Sequence, residues 1–311
     1  MYLFRRISMR YILVIIFAIA STITSGQNFR LPYKLNTPTK VYELPPVLDE
    51  ISGISLIDEK RIACVQDELG QIFIYNMDLK EVERHFDFGK DLDYEDIEII
   101  GSDAYVLESD GDLHVVYDFL NENKRKTEKK ELVLESKNDC EGLCYQKATN
   151  SLLIACKGKA GLGKKQELKG YRAVYRYSLE EEQLIEAPIM LVKINDLLDY
   201  SNLNVFARLS YKMASGFDPN GDIRFQPSAI DIHPISGYTY ITSFVGGVLA
   251  VYDDNTHLVT AERLDRLVFM QPEGLDFDKN GNMYISNESN GGKANILFFE
   301  WKGTNQGTRP E

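Results

Sequence analysis

Histidine is scarce in this chain, four residues among 311. His85, His114, His233 and His257 are scattered, and none falls at the recurring polar positions described below, which argues against a histidine-dependent nucleophile. Cysteine is equally sparse: four residues make no disulfide framework at this length, even in a compartment that allows one. Cys64, Cys144 and Cys156 lie inside apolar strand-like runs, where a small buried thiol is expected; a Cys144–Cys156 bridge across a hairpin is the alternative. Positive charge is in deficit, with 35 Lys and Arg against 47 Asp and Glu and a formal charge of −12. That excess makes nucleic acid and anionic membrane surfaces poor partners and cations good ones.

Long apolar runs are missing apart from YILVIIFAIA, Tyr11 to Ala20, which follows Arg5, Arg6 and Arg10 and precedes STITSG. This is the pattern of a secretory signal, with cleavage expected after Gly26. Loss of residues 1–26 removes three arginines and no acids, taking the formal charge from −12 to −15. The run is shorter than the ~20 residues of a spanning helix, so an uncleaved membrane anchor is the alternative. No cysteine follows it to accept a lipid. The expected location is therefore exported, in the periplasm, at the cell surface or secreted, with membrane contact only through a retained signal segment. Eighteen Tyr and 15 Phe supply ample material for a core.

What the chain does have is a repeat. DEISGISLI (Asp49 to Ile57), DYEDIEII (Asp93 to Ile100), DCEGLCYQ (Asp139 to Gln146), QPSAIDIH (Gln226 to His233) and QPEGLDFD (Gln271 to Asp278) align in register. They bring Ser52, Glu95, Glu141, Ser228 and Glu273 to one equivalent position, with steps of 43, 46, 87 and 45 residues. Each copy is followed by a second strand (RIACVQDE, DAYVLESD, SLLIACKG, YTYITSFV, NMYISNES) and a third (QIFIYNMD, DLHVVYDF, YRAVYRYS, GVLAVYDD, NILFFEW). Fainter fourth strands fall at EVERHFDF, KKELVLES, APIMLVKI and HLVTAERL. Three of the four steps match a four-stranded propeller blade. The fifth repeat has no fourth strand after it, and KVYELPP, Lys40 to Pro46, is an orphan strand that fits there. The expectation is an all-β, five-bladed β-propeller over residues 39–303 whose N-terminal strand closes the last blade, with six blades as the alternative. Residues 27–38 are expected to be a linker and 304–311 a tail. The long step is assigned to an insertion, residues 195–224, between blades 3 and 4.

In such a fold the recurring residues converge on one mouth of the central channel. The second-strand ends add Gln66, Asp67, Glu108, Lys157, Ser243, Asn287 and Glu288 to the expected ligand-binding rim, with Ser52 and Ser228. Three carboxylates aimed at one axis repel unless something neutralises them. Glu95, Glu141 and Glu273, hard oxygen donors without histidine or cysteine, are therefore the candidate ligands of Ca²⁺; the other reading is a water-filled channel. Tyr200, Phe206, Tyr211 and Phe217 of the insertion are candidates for an apolar wall beside the mouth or for packing onto blades 3 and 4. KGKAGLGKK, Lys157 to Lys165, satisfies only part of a phosphate-loop pattern and is expected to be a solvated basic loop. DFDKNGN, Asp276 to Asn282, is expected to be a hairpin turn rather than a calcium loop. The charge run NENKRKTEKKE, Asn121 to Glu131, is expected to be a solvated turn.

The EISGI, DYEDI, DCEGL, FQPSAIDIHP and QPEGLDFDKNGNMYISNE segments, with QDELGQIFIY after the first of them, resemble the SdiA-regulated family of bacterial exported β-propellers. The resemblance runs from about Val41 to Trp301. It implies a five-bladed propeller that binds calcium outside the cytoplasm. The chain departs from the repeat at Asp96, where the other copies have glycine or alanine. PEG…NMYISN is also similar, at the level of fold, to propeller lactonases and phytases. Two functions follow as expectations. One is a calcium-stabilised module that binds a small molecule or an extracytoplasmic protein; the other is a metal-dependent hydrolase with Asp67, Glu108 or Glu288 as its base.

Overall fold

Apolar and polar residues alternate in short runs separated by turns, and in the computed structural model those runs form twenty strands among the described residues. The structure describes residues 29–163, 168–200 and 225–303; the propeller belongs to the compact unit that begins at Leu31. Blade 1 comprises β2 (Ile51–Leu56), β3 (Arg61–Gln66), β4 (Gln71–Asn76) and β5 (Glu81–Asp87). Blade 2 comprises β6 (Tyr94–Ile100), β7 (Asp103–Glu108), β8 (Leu113–Tyr117) and β9 (Lys126–Lys130). Blade 3 comprises β10 (Cys140–Gln146), β11 (Ser151–Cys156), β12 (Tyr171–Ser178) and β13 (Gln183–Lys193). Blade 4 comprises β14 (Ala229–Ile232), β15 (Thr239–Ser243), β16 (Val248–Tyr252) and β17 (Leu258–Arg263). Blade 5 comprises β18 (Pro272–Phe277), β19 (Met283–Asn287) and β20 (Asn295–Phe299), and takes its outer strand, β1 (Lys40–Glu43), from the other end of the chain. All pairings are antiparallel.

The five inner strands touch in a closed circuit, β2 to β6 to β10 to β14 to β18 and back to β2. Five blades and closure by the N-terminal strand are thus as expected, with Val41 opposite Leu297 and Glu43 opposite Asn295. The apolar cores lie between blades: Ile54, Cys64 and Phe73 pack with Tyr284 and Ile296, for example, and Cys144 and Val174 with Ile230 and Ala250. Inner strands approach so closely that a Cβ on Gly53 would fall 2.4 Å from the Cα of Asp96 in the next blade. Glycine or alanine after four of the five recurring positions, Gly53, Gly142, Ala229 and Gly274, answers this crowding, Asp96 being the exception.

Each inner strand is an edge strand, so its channel-facing N–H groups lack a sheet partner. Side chains three residues beyond the recurring position supply the acceptors for the next blade. Ile99 N–H donates to Ser55 Oγ (3.0 Å), Tyr145 to Glu98 (3.3 Å), Phe277 to Asp231 (3.0 Å) and Leu56 to Asp276 (2.5 Å). Cys144 occupies the remaining place and breaks the circuit; there Ile232 N–H turns to Asp231 at 2.6 Å. Asp96, the departure from the repeat, belongs to the same stitching, since Leu143 N–H of blade 3 donates to it at 2.7 Å. Burial and neighbouring acids hold Glu98, Asp96 and Asp231 well above the usual carboxylate range, and burial raises Asp276 to about 6.

Two expectations change. The outer strand of blade 2 is Lys126–Lys130, inside the charge run, rather than KKELVLES. An outermost strand has one solvated face and a free edge, where lysines are tolerated and discourage pairing with another chain. Residues 31–38 are not a free linker: Tyr33 is buried, donates its hydroxyl to Gly281 O at 2.6 Å, and packs against His233, Tyr240 and Phe277. The insertion opens with a short helix, α1 (Ile194–Tyr200), whose Ile194 and Leu197 join Phe225 in the core between blades 3 and 4. Phe206, Tyr211, Phe217 and the side chain of Tyr200 lie outside the described residues. The Asp278–Asn282 segment is the expected hairpin turn, with Asp278 accepting from the Asn280 and Asn282 N–H groups.

The stitching makes a testable distinction. Asp276→Ala leaves the partly buried Leu56 N–H without its acceptor and is expected to cost about 1–3 kcal/mol, whereas Asp276→Asn keeps an acceptor and loses less. Equal losses in urea unfolding would show that the bond from Leu56 contributes nothing.

Candidate functional site

In four of the five blades the recurring position sits where the ladder slips by one residue; β14 pairs with β15 without a slip. Tyr94 pairs with Glu108 and Asp96 with Leu107, so Glu95 is the extra residue. Glu141 is extra between the Cys140–Cys156 and Gly142–Ala155 pairs, and Glu273 between Pro272–Asn287 and Gly274–Ser286. β2 slips in the same region, between Ile51 and Ile54. A bulge of this kind re-aims a side chain that would otherwise alternate with its neighbours, and here it turns three glutamates, from blades 2, 3 and 5, toward one mouth.

The chemistry there is that of acids short of counter-charge. Burial, then Glu141, Asp93 and Glu273, raise Glu95 to about 10, against the opposing pull of Lys157. Burial also pushes Glu273 well above the usual range, with Glu141, Glu288 and Asp67 adding to it. Glu141 rises only to about 7 because Lys157 Nζ lies 2.5 Å from its Oε1. Burial alone would lower the Lys157 pKa, but Glu141, Asp139 and Glu95 reverse the direction and hold it firmly charged. The dominant influences on Glu95 and Glu273 are burial and charge, not hydrogen bonds.

The expected rim divides into two sets by a single residue of register. Those at the last paired position of the second strand turn into the blades. Gln66 donates to Val47 O, Ser243 Oγ accepts from Gln226 N–H at 2.9 Å, and Asn287 donates to Val268 O and to Asn295 Oδ1. Glu108 binds His114 at 2.9 Å and Lys129 at 2.8 Å, away from the three glutamates. The residues one step further, Asp67, Lys157 and Glu288, are the ones that act on Glu273. Ser228 is spent on structure, donating to Pro272 O of the next blade at 2.6 Å. At Ser52 it is the backbone carbonyl that is engaged, accepting from Ser286 Oγ at 2.9 Å.

Two rim acids have unusual surroundings. Burial, with Glu50, Glu68 and Asp93, raises Asp67 to about 6, and its Oδ1 is buried without a hydrogen-bond partner. Burial and a hydrogen bond with Glu50 raise Glu288 to about 7, and Gln271 also donates to Glu288. Glu50 and Asp93 were not among the expected site residues. Both lie in the acidic lead-in to a repeat, DEISG and DYED, and that shared placement was the signal available.

The oxygens of Glu95, Glu141 and Glu273 do not form a preassembled ion cage. Among the described residues the acidic group that closes to within 4.8 Å is Glu108, Asp110 and Asp112. That group already has a cation, because Lys129 Nζ lies 2.8 Å from Glu108 and 3.0 Å from Asp112.

Neither the family models nor the curated proteins contain a match to this chain. Solved structures do resemble it. Glutaminyl cyclase from Myxococcus xanthus is 9% identical, with a TM-score of 0.53 over 85% of this chain and 95% of that one. Virginiamycin B lyase from Staphylococcus aureus is 12% identical, with a TM-score of 0.42 over 84% of this chain and 73% of its own. A Bacteroides thetaiotaomicron protein of unknown function is 10% identical with a TM-score of 0.46, over 76% of this chain and 52% of that one, so this chain spans about half its length. At such identities the likeness is one of fold, and the chain stands as a five-bladed β-propeller with an acid-lined mouth.

Proposed function

We propose that the protein is an exported, calcium-binding β-propeller of the SdiA-regulated kind, whose mouth recognises a small molecule or an extracytoplasmic protein. The observation that carries this reading is the placement of Glu95, Glu141 and Glu273 on three bulges around a single lysine. Acids forced to hold protons by burial and by each other are relieved by a cation, which repays the cost of ionising them. An all-oxygen donor set suits calcium better than zinc. Because the three carboxylates are not preassembled, the ion has to draw them inward. Export rests on the N-terminal apolar run.

A second reading, a metal-dependent hydrolase, is favoured by one feature. Asp67, at about 6, and Glu288, at about 7, have the acidity of general bases working near neutral pH, and both adjoin Glu273. Glu108, the third candidate base, is taken up by His114 and Lys129. Turnover of a lactone or phosphoester that needs calcium and is lost in Asp67→Asn would favour the enzyme; binding without turnover favours the module.

The raised pKa values set a sign for pH dependence. A carboxyl whose folded pKa is raised stabilises the fold fully below its ordinary value and loses that contribution as pH rises through the folded value. In chelator, the melting temperature is therefore expected to fall between about pH 4.5 and 7 as Asp67, Glu141, Asp276 and Glu288 ionise. Exposed acids paired with lysines, such as Glu43 and Glu59, have lowered values and push the other way, but solvent screens them. Calcium should flatten the fall, adding about 2.7 kcal/mol at a hundredfold excess over Kd. Melts identical in calcium and chelator would remove the calcium reading.

Substitutions at the mouth separate the roles of its charges. Glu95→Gln is expected to raise the melting temperature in chelator at neutral pH and to shrink the gain from calcium. Lys157→Ala should cost roughly 1–3 kcal/mol in chelator, less than the ~3–5 of a broken buried ion pair because Glu141 can take a proton, and calcium should recover part of it. A Lys157→Ala protein whose loss is the same with and without calcium would show that the lysine and the ion do not share a site.

A further inference from the structure

The sequence offered Cys144 and Cys156 as a pair across a hairpin, but the register places Cys144 opposite Leu153 and Cys140 opposite Cys156. The Cys140 and Cys156 Sγ atoms are 3.7 Å apart, and both residues are buried. The flanking Lys157 N–H donates to Asp139 O at 2.7 Å, so the two cysteines occupy the narrow, non-hydrogen-bonded type of cross-strand site. Cα atoms at such sites stand about 4.5 Å apart, inside the range of roughly 4.4–6.8 Å that a disulfide spans. The other two thiols are held elsewhere. Cys64 belongs to the core between blades 5 and 1, Cys144 to the core between blades 3 and 4, and Cys140 and Cys156 to the core between blades 2 and 3. One pairing is therefore available.

We infer that Cys140 and Cys156 close into a cross-strand disulfide at the root of the mouth. The reaction is thiol–disulfide exchange with an external disulfide. One thiolate attacks it to form a mixed disulfide, and the second thiolate displaces the external sulfur. The two cysteines lose two protons and two electrons, and the external disulfide is reduced to two thiols. Both sulfurs are inaccessible once blade 3 is packed, so exchange takes place while β10 and β11 are assembling or transiently apart. The bridge adjoins the site in sequence as well as in space: Glu141 follows Cys140 and Lys157 follows Cys156. Closed, it prevents the strands carrying that ion pair from separating. The inference stands apart from calcium, because the sulfur pairing is set by strand register alone.

The experiment refolds the full chain in a buffer of a small thiol and its disulfide, then denatures it, alkylates free thiols and digests it without reductant. The expected result is alkylation of Cys64 and Cys144 only, with one pair of peptides joined through Cys140 and Cys156 that separates on reduction. Cys140→Ser and, independently, Cys156→Ser should each abolish the joined pair and leave three alkylated cysteines. Alkylation of all four thiols at every disulfide concentration would overturn the inference. So would a joined peptide containing Cys64 or Cys144.

Discussion

A propeller blade ends at the channel on a strand with no further neighbour, and much of this molecule is arranged around that unpaired edge. The backbone donors of β2, β6, β10 and β18 are met by a serine or a carboxylate from the preceding blade. Sheets that share no ladder are thereby joined in a ring. The ring can be acidic because a carboxyl group accepts from backbone N–H and, where burial raises its pKa, also carries the proton that removes its charge. Asp231 and Asp276 go further and bond to each other, which requires one of them to keep its proton.

Above that ring the same edge is interrupted by bulges, and the interruption creates the site. A regular ladder would alternate the side chains of Tyr94, Glu95 and Asp96 between the faces of the blade; the extra residue frees Glu95 to point along the channel. The channel thus holds acids in two tiers with different work. The lower tier, with Glu98, Asp231 and Asp276, is committed to backbone donors. In the upper tier Glu95 and Glu273 are dominated by charge and burial, and Glu141 is balanced by Lys157. The acids of the lower tier are held by backbone N–H groups of the next blade, and those of the upper tier have no such bonds among their dominant influences.

The repeat was legible to the residue. In-register copies named Glu95, Glu141 and Glu273 and counted five blades, and the orphan KVYEL segment found its partner in Asn295–Phe299. Two features were misjudged where local pattern is a poor guide. Lys126–Lys130 is a strand although it is all polar, because an outermost strand is held by its ladder and owes nothing to a core. Tyr33, within residues 31–38, packs onto the propeller because it finds an aromatic nest that no local pattern announces. The second tier was also readable, as Ser55, Glu98, Cys144, Asp231 and Asp276 stand at one repeat position, but the use of that position depends on which strand edge faces the channel.

Sequence alone therefore determined the number of blades, the ring closure and the identity of the convergent acids, since each follows from periodicity, and periodicity survives without coordinates. Tertiary structure decided which of those polar residues are free to act. Gln66, Glu108, Ser243 and Asn287 differ from Asp67, Lys157 and Glu288 by a single step at the end of a strand, and that step turns a side chain from the mouth into the blade. It also decided that Cys156 faces Cys140: the hairpin register sets Cys144 opposite Leu153 and would bring Cys156 opposite Glu141, and the extra residue there moves it on to Cys140. A bulge leaves no mark in composition or alternation that a reader of the sequence can count.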